Sequence, residues 1–221
     1  MTIITATYNQ VDKLEKLKVA LDGRNWILAI DGCKKTKDWA EKNEIRYAWH
    51  ERNGRRDNEI CNKAADMVED GFLLFISGDS IPVDNYFEEM LNVAKHDRLV
   101  SGLRVNVDDN GKIASYDHRL EYFKDIPKGA YQIDRKDPWV LITSNGMLIH
   151  KDWWDVLGGF YDGYKGYGTS DHDLAMRAHY EGMELWLQPR AVLRHFDLKV
   201  KKDSEENYEL FEMRRKIWAT E

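Results

Sequence analysis

The sequence predicts an α/β protein built on a mixed, mostly parallel sheet with helices on both faces. Three observations carry that expectation. Short β-branched and apolar runs alternate with helix-periodic segments through the first half of the chain. The most apolar run, 71–76 (GFLLFI), lacks polar alternation, as a strand covered on both faces requires. The 221 residues, 43% hydrophobic and 33% charged, suit one globular domain with a single sizeable core.

Each element has a local reason. Thr2–Thr7 (TIITAT) is a β-branched strand. Asn9 and Asp12 offer caps for a helix carrying Leu14, Leu17, Val19 and Leu21, which Asp22-Gly23 stops. Trp26–Ile30 (WILAI) has the length of a buried strand and ends at Asp31-Gly32. A short polar helix around Asp38–Asn43 leads to a strand at Ile45–Trp49. Arg56–Val68 is a helix with Ile60, Ala64, Ala65 and Met67 inward, and it feeds the central strand 71–76. Asp84–Ala94 follows as a helix and Leu99–Arg104 as a strand.

The second half is less regular. Residues 105–138 are polar and turn-rich, with Asp109-Asn110-Gly111 as a hairpin turn. Val140–Ser144 and Met147–His150 read as short strands around Asn145-Gly146, and Lys151–Val156 as a turn or two of helix. A glycine- and tyrosine-rich loop, Gly158–Gly168, precedes a helix over Asp171–Tyr180 that Gly182 ends. Leu185–Leu187 and Ala191–Leu193 read as strands, and Asp203–Trp218 as an amphipathic helix with Tyr208, Phe211 and Ile217. With no repeat and no linker, the two halves are expected to share one sheet in a single domain.

Composition excludes several classes. No apolar run approaches the ~18–20 residues of a membrane helix. The start MTIITATYNQ has no basic segment or cleavage site, and Cys33 and Cys61 make no disulfide framework, so a cytoplasmic protein is expected. A net charge of −6 gives no global electrostatic reason to bind nucleic acid, and the basic residues in Lys199–Lys202 and Arg214–Lys216 are too few to argue for it, which leaves nucleic acid open only through a local basic patch, as an acceptor. The 8 Trp and 11 Tyr supply planes that stack on flat or sugar-like ligands, or fill a core of large residues.

Four places carry possible chemistry. Ser77-Gly78-Asp79-Ser80 ends the central strand, where open α/β sheets bind ligands. A carboxylate there, after a glycine that lets a phosphate approach, suits a divalent metal bridging to a diphosphate; Asp79 capping the next turn is the plainer alternative. Ser170-Asp171-His172-Asp173 opens a helix, where acidic residues serve the helix dipole without further purpose. The preceding loop gives Asp171 a functional setting, because its glycines permit movement and tyrosines such as Tyr167 can stack on a sugar. His195 ends a late strand and matters if the fold brings it to Asp79, since imidazole and carboxylate together bind divalent metals. Asp31, closing the second strand, could accept hydrogen bonds from a base or ribose, or merely form a turn with Gly32; Arg56 could neutralise a diphosphate, or be one of a solvated pair with Arg55.

The ordered set resembles a known family. Thr7-Tyr8-Asn9 follows the first strand and Asp31 the second. Ser77-Gly78-Asp79 follows an apolar strand, and then come Asn145-Gly146, Gly158-Gly159-Phe160-Tyr161-Asp162, Ser170-Asp171-His172-Asp173-Leu174 and His195. Over residues 2–197 this is similar to the GT-A glycosyltransferases of the family 2 type, and the later half to the galactosyltransferase group with a Gly-Trp-Gly-Gly-Glu-Asp-Asp-Asp-Leu motif. The resemblance implies a GT-A fold: a Rossmann-like nucleotide-sugar-binding half (1–104), an acceptor and catalytic half (105–197) and a C-terminal helix (198–221). It implies a nucleotide-binding set of Thr7, Tyr8, Asp31, Arg56, Ser77 and Gly78, with Thr7 and Asp31 lining the uridine pocket. Asp79 would match the last aspartate of the Asp-X-Asp motif and, with His195, bind Mn²⁺ or Mg²⁺. Asn145, Gly146, Tyr167 and Ser170 would face donor sugar or acceptor, and Asp171 would be the base.

Two departures stand out. Ser77 replaces the first Asp of Asp-X-Asp, and Ser170 replaces the Glu before the catalytic Asp, a position that helps to bind the acceptor. The implied activity is a metal-dependent inverting glycosyltransferase of the hexosyltransferase type, moving a sugar from a UDP-sugar to a glycan or other hydroxyl-bearing acceptor. The rival is a non-catalytic nucleotide-sugar or glycan-binding module whose Asp-X-Asp site has decayed, as Ser77 would signal. A sugar nucleotidyltransferase ranks below both, because Ala6-Thr7-Tyr8-Asn9-Gln10 lacks the glycine-rich basic loop that reaction needs.

Overall fold

Ten strands and seven α-helices make up the computed structural model, which describes residues 1–51, 57–125, 127–165, 168–196 and 204–219. In chain order the first half runs β1 (Thr2–Thr7), α1 (Val11–Ala20), β2 (Trp26–Asp31), α2 (Lys34–Lys42), β3 (Arg46–His50), α3 (Asp57–Ala65), β4 (Phe72–Ser77), β5 (Ser80–Pro82) and α4 (Tyr86–Val93). The second half runs β6 (Arg98–Val107), β7 (Ile113–Tyr116), β8 (Tyr131–Gln132), β9 (Met147–His150), α5 (Lys151–Leu157), α6 (Ser170–Tyr180), β10 (Glu184–His195) and α7 (Glu205–Trp218). Two 3₁₀ turns, His118–Tyr122 and Pro138–Leu141, lie between β7 and β9.

All ten strands join one mixed, mostly parallel sheet in the order β3-β2-β1-β4-β9-β6-β10-β5, with β7 on β6 and β8 on β10. β3, β2, β1 and β4 run parallel, as do β6 and β10; β9 is antiparallel between β4 and β6. Alternate residues of each strand therefore face opposite layers. Ile4, Ile27, Leu73 and Phe75 meet α3, α5 and α6 on one face, while Ile3, Leu28, Leu74 and Ile76 meet α1, α2 and α4 on the other. β4 is central, and Leu73 and Leu74 are wholly buried, as its unbroken apolar run requires.

The structure adds to the expected elements the short strands β5, β7 and β8, and departs from the sequence expectation in four further places. Val140–Ser144 is not a strand: Pro138 opens a 3₁₀ turn with Trp139 and Leu141 buried, and its fixed φ suits a first helical position. The two late strands are one, β10, which crosses Pro189 through an irregularity between Gln188 and Val192. Asn9 and Asp12 do not cap α1; Gln10 is the N-cap residue and Asn9 has a left-handed φ of 52°. In α7 only Phe211 of the expected apolar stripe is buried, and Tyr208 and Ile217 are exposed. That helix is held instead by polar contacts: buried Asn207 accepts from the Lys165 amide at 3.1 Å and donates to the Lys165 carbonyl at 3.0 Å.

The irregular stretch after β7 is fastened by Arg119, which is 0% exposed. Its guanidinium donates to both Asp117 oxygens (2.9 and 2.6 Å), to Ser101 Oγ, and to the carbonyls of Gly102 and Leu141. Burial by itself would raise the Asp117 carboxyl, but Arg119 holds it below the usual carboxylate range.

Candidate active site

The carboxyl ends of β1, β2, β4, β6 and β10 and the start of β9 share one rim of the sheet. Most of the sequence-predicted residues gather there. β4 ends at Ser77, and the Gly78 amide donates to the Ala6 carbonyl at 3.0 Å, turning the chain tightly over the end of β1. A Cβ on Gly78 would lie 2.7 Å from Gln10 Oε1, 2.8 Å from Thr7 Oγ1 and 2.9 Å from Thr7 Cβ, so only glycine fits.

Asp79 is buried and His195 nearly so, and the two meet across the rim with Nε2 3.4 Å from Oδ1. The ladder delivers them: Ser80 pairs with His195 between β5 and β10, and the Phe196 amide donates to the Asp79 carbonyl at 2.8 Å. His195 Nδ1 sits 3.0 Å from Asn106 Oδ1, an acceptor, so Nδ1 carries the proton. With Nδ1 turned to Asn106, Nε2 is left facing a carboxylate oxygen, and either a proton or a divalent cation can sit between the two. Ligands to one ion about 2.0–2.2 Å away stand roughly 3 Å apart, so this pair fits a divalent metal. Asp79 also accepts from Ser77 Oγ, through a short bond, and from Gln10 Nε2 at 2.9 Å. Burial alone would raise its carboxyl, but the bond and charge of His195, with Ser77 and Lys13, hold it far below its usual value.

The other predicted residues take distinct places. Thr7 is buried, and its Oγ1 donates to Gln10 Oε1 at 3.3 Å; Tyr8 is 46% exposed at the rim. Asp31 is buried, with Oδ1 2.8 Å from His50 Nε2. Asn145 spans the end of β4: its Oδ1 accepts from the Ser77 amide (3.1 Å) and its Nδ2 donates to Ser80 Oγ (2.8 Å). Gly146 lies buried at a φ of 95°, where a Cβ would meet the Tyr86 hydroxyl at 3.0 Å. Arg56 and Tyr167 lie outside the described residues, as do Asn53-Gly54-Arg55 and Lys199–Lys202.

Asp171 stands in the first turn of α6, beside half-buried Ser170. Its Oδ2 accepts from the Ser144 amide at 3.1 Å and its Oδ1 from the His172 amide at 3.0 Å. Ser144 precedes Asn145, so one step of backbone separates Asp171 from the residue that braces Ser77. A carboxylate has about four lone-pair sites, and two remain for an acceptor proton. The residue before α6, Thr169, has a left-handed φ of 64°, strained for a β-branched side chain. Its hydroxyl donates to the Gly168 carbonyl at 2.8 Å, which holds that conformation.

Asp173 serves structure. It is 0% exposed and accepts from Arg177 Nε (2.8 Å), Arg214 Nε (2.6 Å) and the Tyr164 hydroxyl (3.2 Å). Burial and the Asp173 charge push the Tyr164 hydroxyl far up, so it remains a donor. Arg177 in turn donates to the carbonyls of Leu157 and Gly159, anchoring the start of the glycine-rich loop. Tyr164, expected on a mobile surface, is thereby fixed in the core; Tyr161 remains 40% exposed.

Sequence reasoning passed over Gln10, Lys13, His50 and Asn106. Gln10 follows Thr7-Tyr8-Asn9, and Lys13 lies three residues on, its Nζ donating to the Phe196 carbonyl at 2.9 Å. Helical spacing from the end of β1 could have found both. Asn106 is His195's direct partner in the β6–β10 register, which no local pattern reveals.

No family model and no curated protein sequence matches the chain. Solved structures do. GalNAc-T7 with UDP, GalNAc and Mn²⁺ superposes with a TM-score of 0.72 at 9% identity, over 99% of this chain and 48% of that one. S. aureus TarS 1-349 gives a TM-score of 0.69 at 14% identity, over 98% and 64%. The same protein in complex with UDP-GlcNAc gives 0.66 at 14% identity, over 96% and 65%. The chain spans about half to two thirds of the length of these neighbours. The likenesses show the GT-A fold that the resemblance implies.

Proposed function

We propose that the chain is a metal-dependent, inverting glycosyltransferase of the hexosyltransferase type, transferring a sugar from a UDP-sugar to an acceptor hydroxyl. The observation that carries this reading is the Asp79–His195 pair at the ligand-binding rim, with Asp171 within one residue of its brace. The neighbours' titles name UDP, UDP-GlcNAc and Mn²⁺, which accords with it.

Asp79 and His195 would hold Mn²⁺ or Mg²⁺, which when bound neutralises the leaving diphosphate. Gly78 lets the chain turn close over Thr7 and Gln10 at the end of β4, and Thr7, Tyr8, Asp31 and Ser77 are assigned the nucleoside side, with Arg56. Asn145 and Gly146 shape the floor for the donor sugar. Asp171 takes the acceptor proton as that oxygen attacks the anomeric carbon from the face opposite the diphosphate, and a single displacement inverts the configuration. Beside Asp171, Thr169 and His172 line a cavity of about 320 Å³ whose walls include Tyr122, Trp139 and Tyr208. Its aromatic planes suit a glycan acceptor, a role to which the resemblance also assigns Ser170 and Tyr167. No described helix is long and apolar enough to cross a membrane, and both cysteines are free, which accords with a cytoplasmic site of action.

The rival reading, a binding module, draws on Ser77, which brings a hydroxyl where the family has a charge. One experiment separates the two. A thermal-shift screen of nucleotide sugars with and without Mn²⁺ identifies the donor, since a ligand at 100 times its Kd adds about 2.7 kcal/mol. Mn²⁺-dependent release of UDP from that donor is then expected; binding without release would leave the module reading standing.

A further inference from the structure

A second cluster of metal-binding side chains lies on the opposite rim. β9 ends at His150, which pairs with Phe72 at the start of β4, a full strand length from Asp79. Asp152 lies in the first turn of α5, and His96 reaches in from the segment after α4. His96 Nε2 stands 3.0 Å from Asp152 Oδ2, and His150 Nδ1 stands 3.5 Å from the same oxygen. One ligand atom from each of the three lies within 4.8 Å of the others.

We propose that His96, His150 and Asp152 bind a zinc-like divalent ion, independently of the donor site and of whatever reaction occurs there. A four-coordinate ion with ligands at about 2.0–2.1 Å has ligand–ligand edges of ~3.3 Å, and the two measured edges bracket that value. His150 Nδ1 acts as an acceptor, taking a long bond of 3.3 Å from the Asp152 amide that a bound ion would replace. His150 Nε2 faces the exposed Asp70 carboxylate at 3.9 Å, beyond hydrogen-bond reach. The Phe72 ring packs edge-on against the imidazole, 5.1 Å between centroids, and fixes its plane.

Helix capping accounts for His150 and Asp152 but not for His96, which comes from another segment to lie 4.6 Å from the His150 ring at a tilt of 50°. Two imidazoles and one carboxylate favour zinc over magnesium or calcium, which prefer oxygen. The His96 and Asp152 side chains are 59% and 62% exposed, so an ion enters directly and water completes its shell. Once bound, the ion would tie the segment after α4 to the β9–α5 junction.

The test titrates the full chain with Zn²⁺ against a chelating dye, and with Co²⁺ read by visible absorption. A His195→Ala background removes the donor-site histidine. One zinc equivalent should survive in that background, with the absorption of a four-coordinate Co²⁺ complex. His96→Ala or Asp152→Asn added to it should weaken zinc by more than about tenfold while the metal-free melting temperature stays near that of the parent. Absence of any zinc equivalent in the His195→Ala chain would overturn the proposal, as would unchanged affinity in both added variants. UDP binding, read separately, reports on the donor site alone.

Discussion

Asn in place of Asp173 tests how the candidate base is held. The substitution keeps the shape and removes the charge. Asp173 is wholly buried and faces two guanidiniums, Arg177 (4% exposed side chain) and Arg214 (19%). Breaking a buried ion pair from one side costs about 3–5 kcal/mol, because the partner is left charged and unmatched. A domain of this size loses about 2–4 °C of melting temperature per kcal/mol, so a fall of roughly 6–20 °C is expected. Asp171→Asn is the internal control. That carboxylate is only half-buried and accepts two backbone amides, so an amide there costs about 1 kcal/mol. Thermal melts by circular dichroism give both values. Hydrogen exchange should also rise across residues 157–165 in Asp173→Asn, since Arg177 holds the Leu157 and Gly159 carbonyls. If Asp173→Asn melts within roughly 3 °C of wild type, or no lower than Asp171→Asn, the carboxylate is not the brace described here.

Four further outcomes are expected. In the proposed reaction Asp171→Asn should lower turnover by roughly 10²–10⁴ with UDP affinity nearly unchanged, and NMR should show the product's anomeric configuration inverted; near-wild-type turnover or retention would refute that role. Calorimetry should find that Asp79→Ala loses the Mn²⁺-dependent part of UDP affinity, and equal Mn²⁺ enhancement in variant and wild type would break the assignment. Gly78→Ala should cost about 1–3 kcal/mol by urea denaturation, because the new methyl meets the fixed Thr7 Cβ at 2.9 Å, and a smaller loss would show that β1 yields easily. Arg119 holds the Asp117 carboxyl below its unfolded value, so its ionised form stabilises the fold above about pH 4 and that contribution is lost as pH falls toward the folded value; Asp117→Asn should be less stable at neutral pH, yet lose stability less steeply as pH falls below about 4.

The first half was legible because its signals are local. An apolar run that ends in Ser77-Gly78-Asp79, and another that ends in Asp31, place two carboxylates at strand ends, and parallel pairing puts both on one rim. The Asp79–His195 meeting was readable only through the resemblance, since it depends on a β5–β10 register that no local pattern encodes. The irregular half was least legible. Val140–Ser144 has strand composition, but Pro138 and the Arg119 bond to the Leu141 carbonyl bend it into a turn. Tyr164 looked like loop surface because nothing nearby in sequence announces the buried charge network that captures it. The His96, His150 and Asp152 cluster went unseen because His96 is distant in sequence from the other two and meets them only once β6 is laid beside β9.

His195 reaches Asp79 along a hydrogen-bonded ladder rather than by a flexible loop, and this separates two kinds of change in the gene. β6 and β10 lie side by side, and the segments that leave the sheet between β7 and β9 form an excursion from that frame. Changes in the excursion at wall residues such as Tyr122 and Trp139 would reshape the cavity near Thr169 and His172 without moving the ladder that joins Asp79 to His195. Under the proposed function, acceptor preference would then vary through those wall positions, while Arg119, Ser144 and Asn145, which fasten the frame, stay as they are.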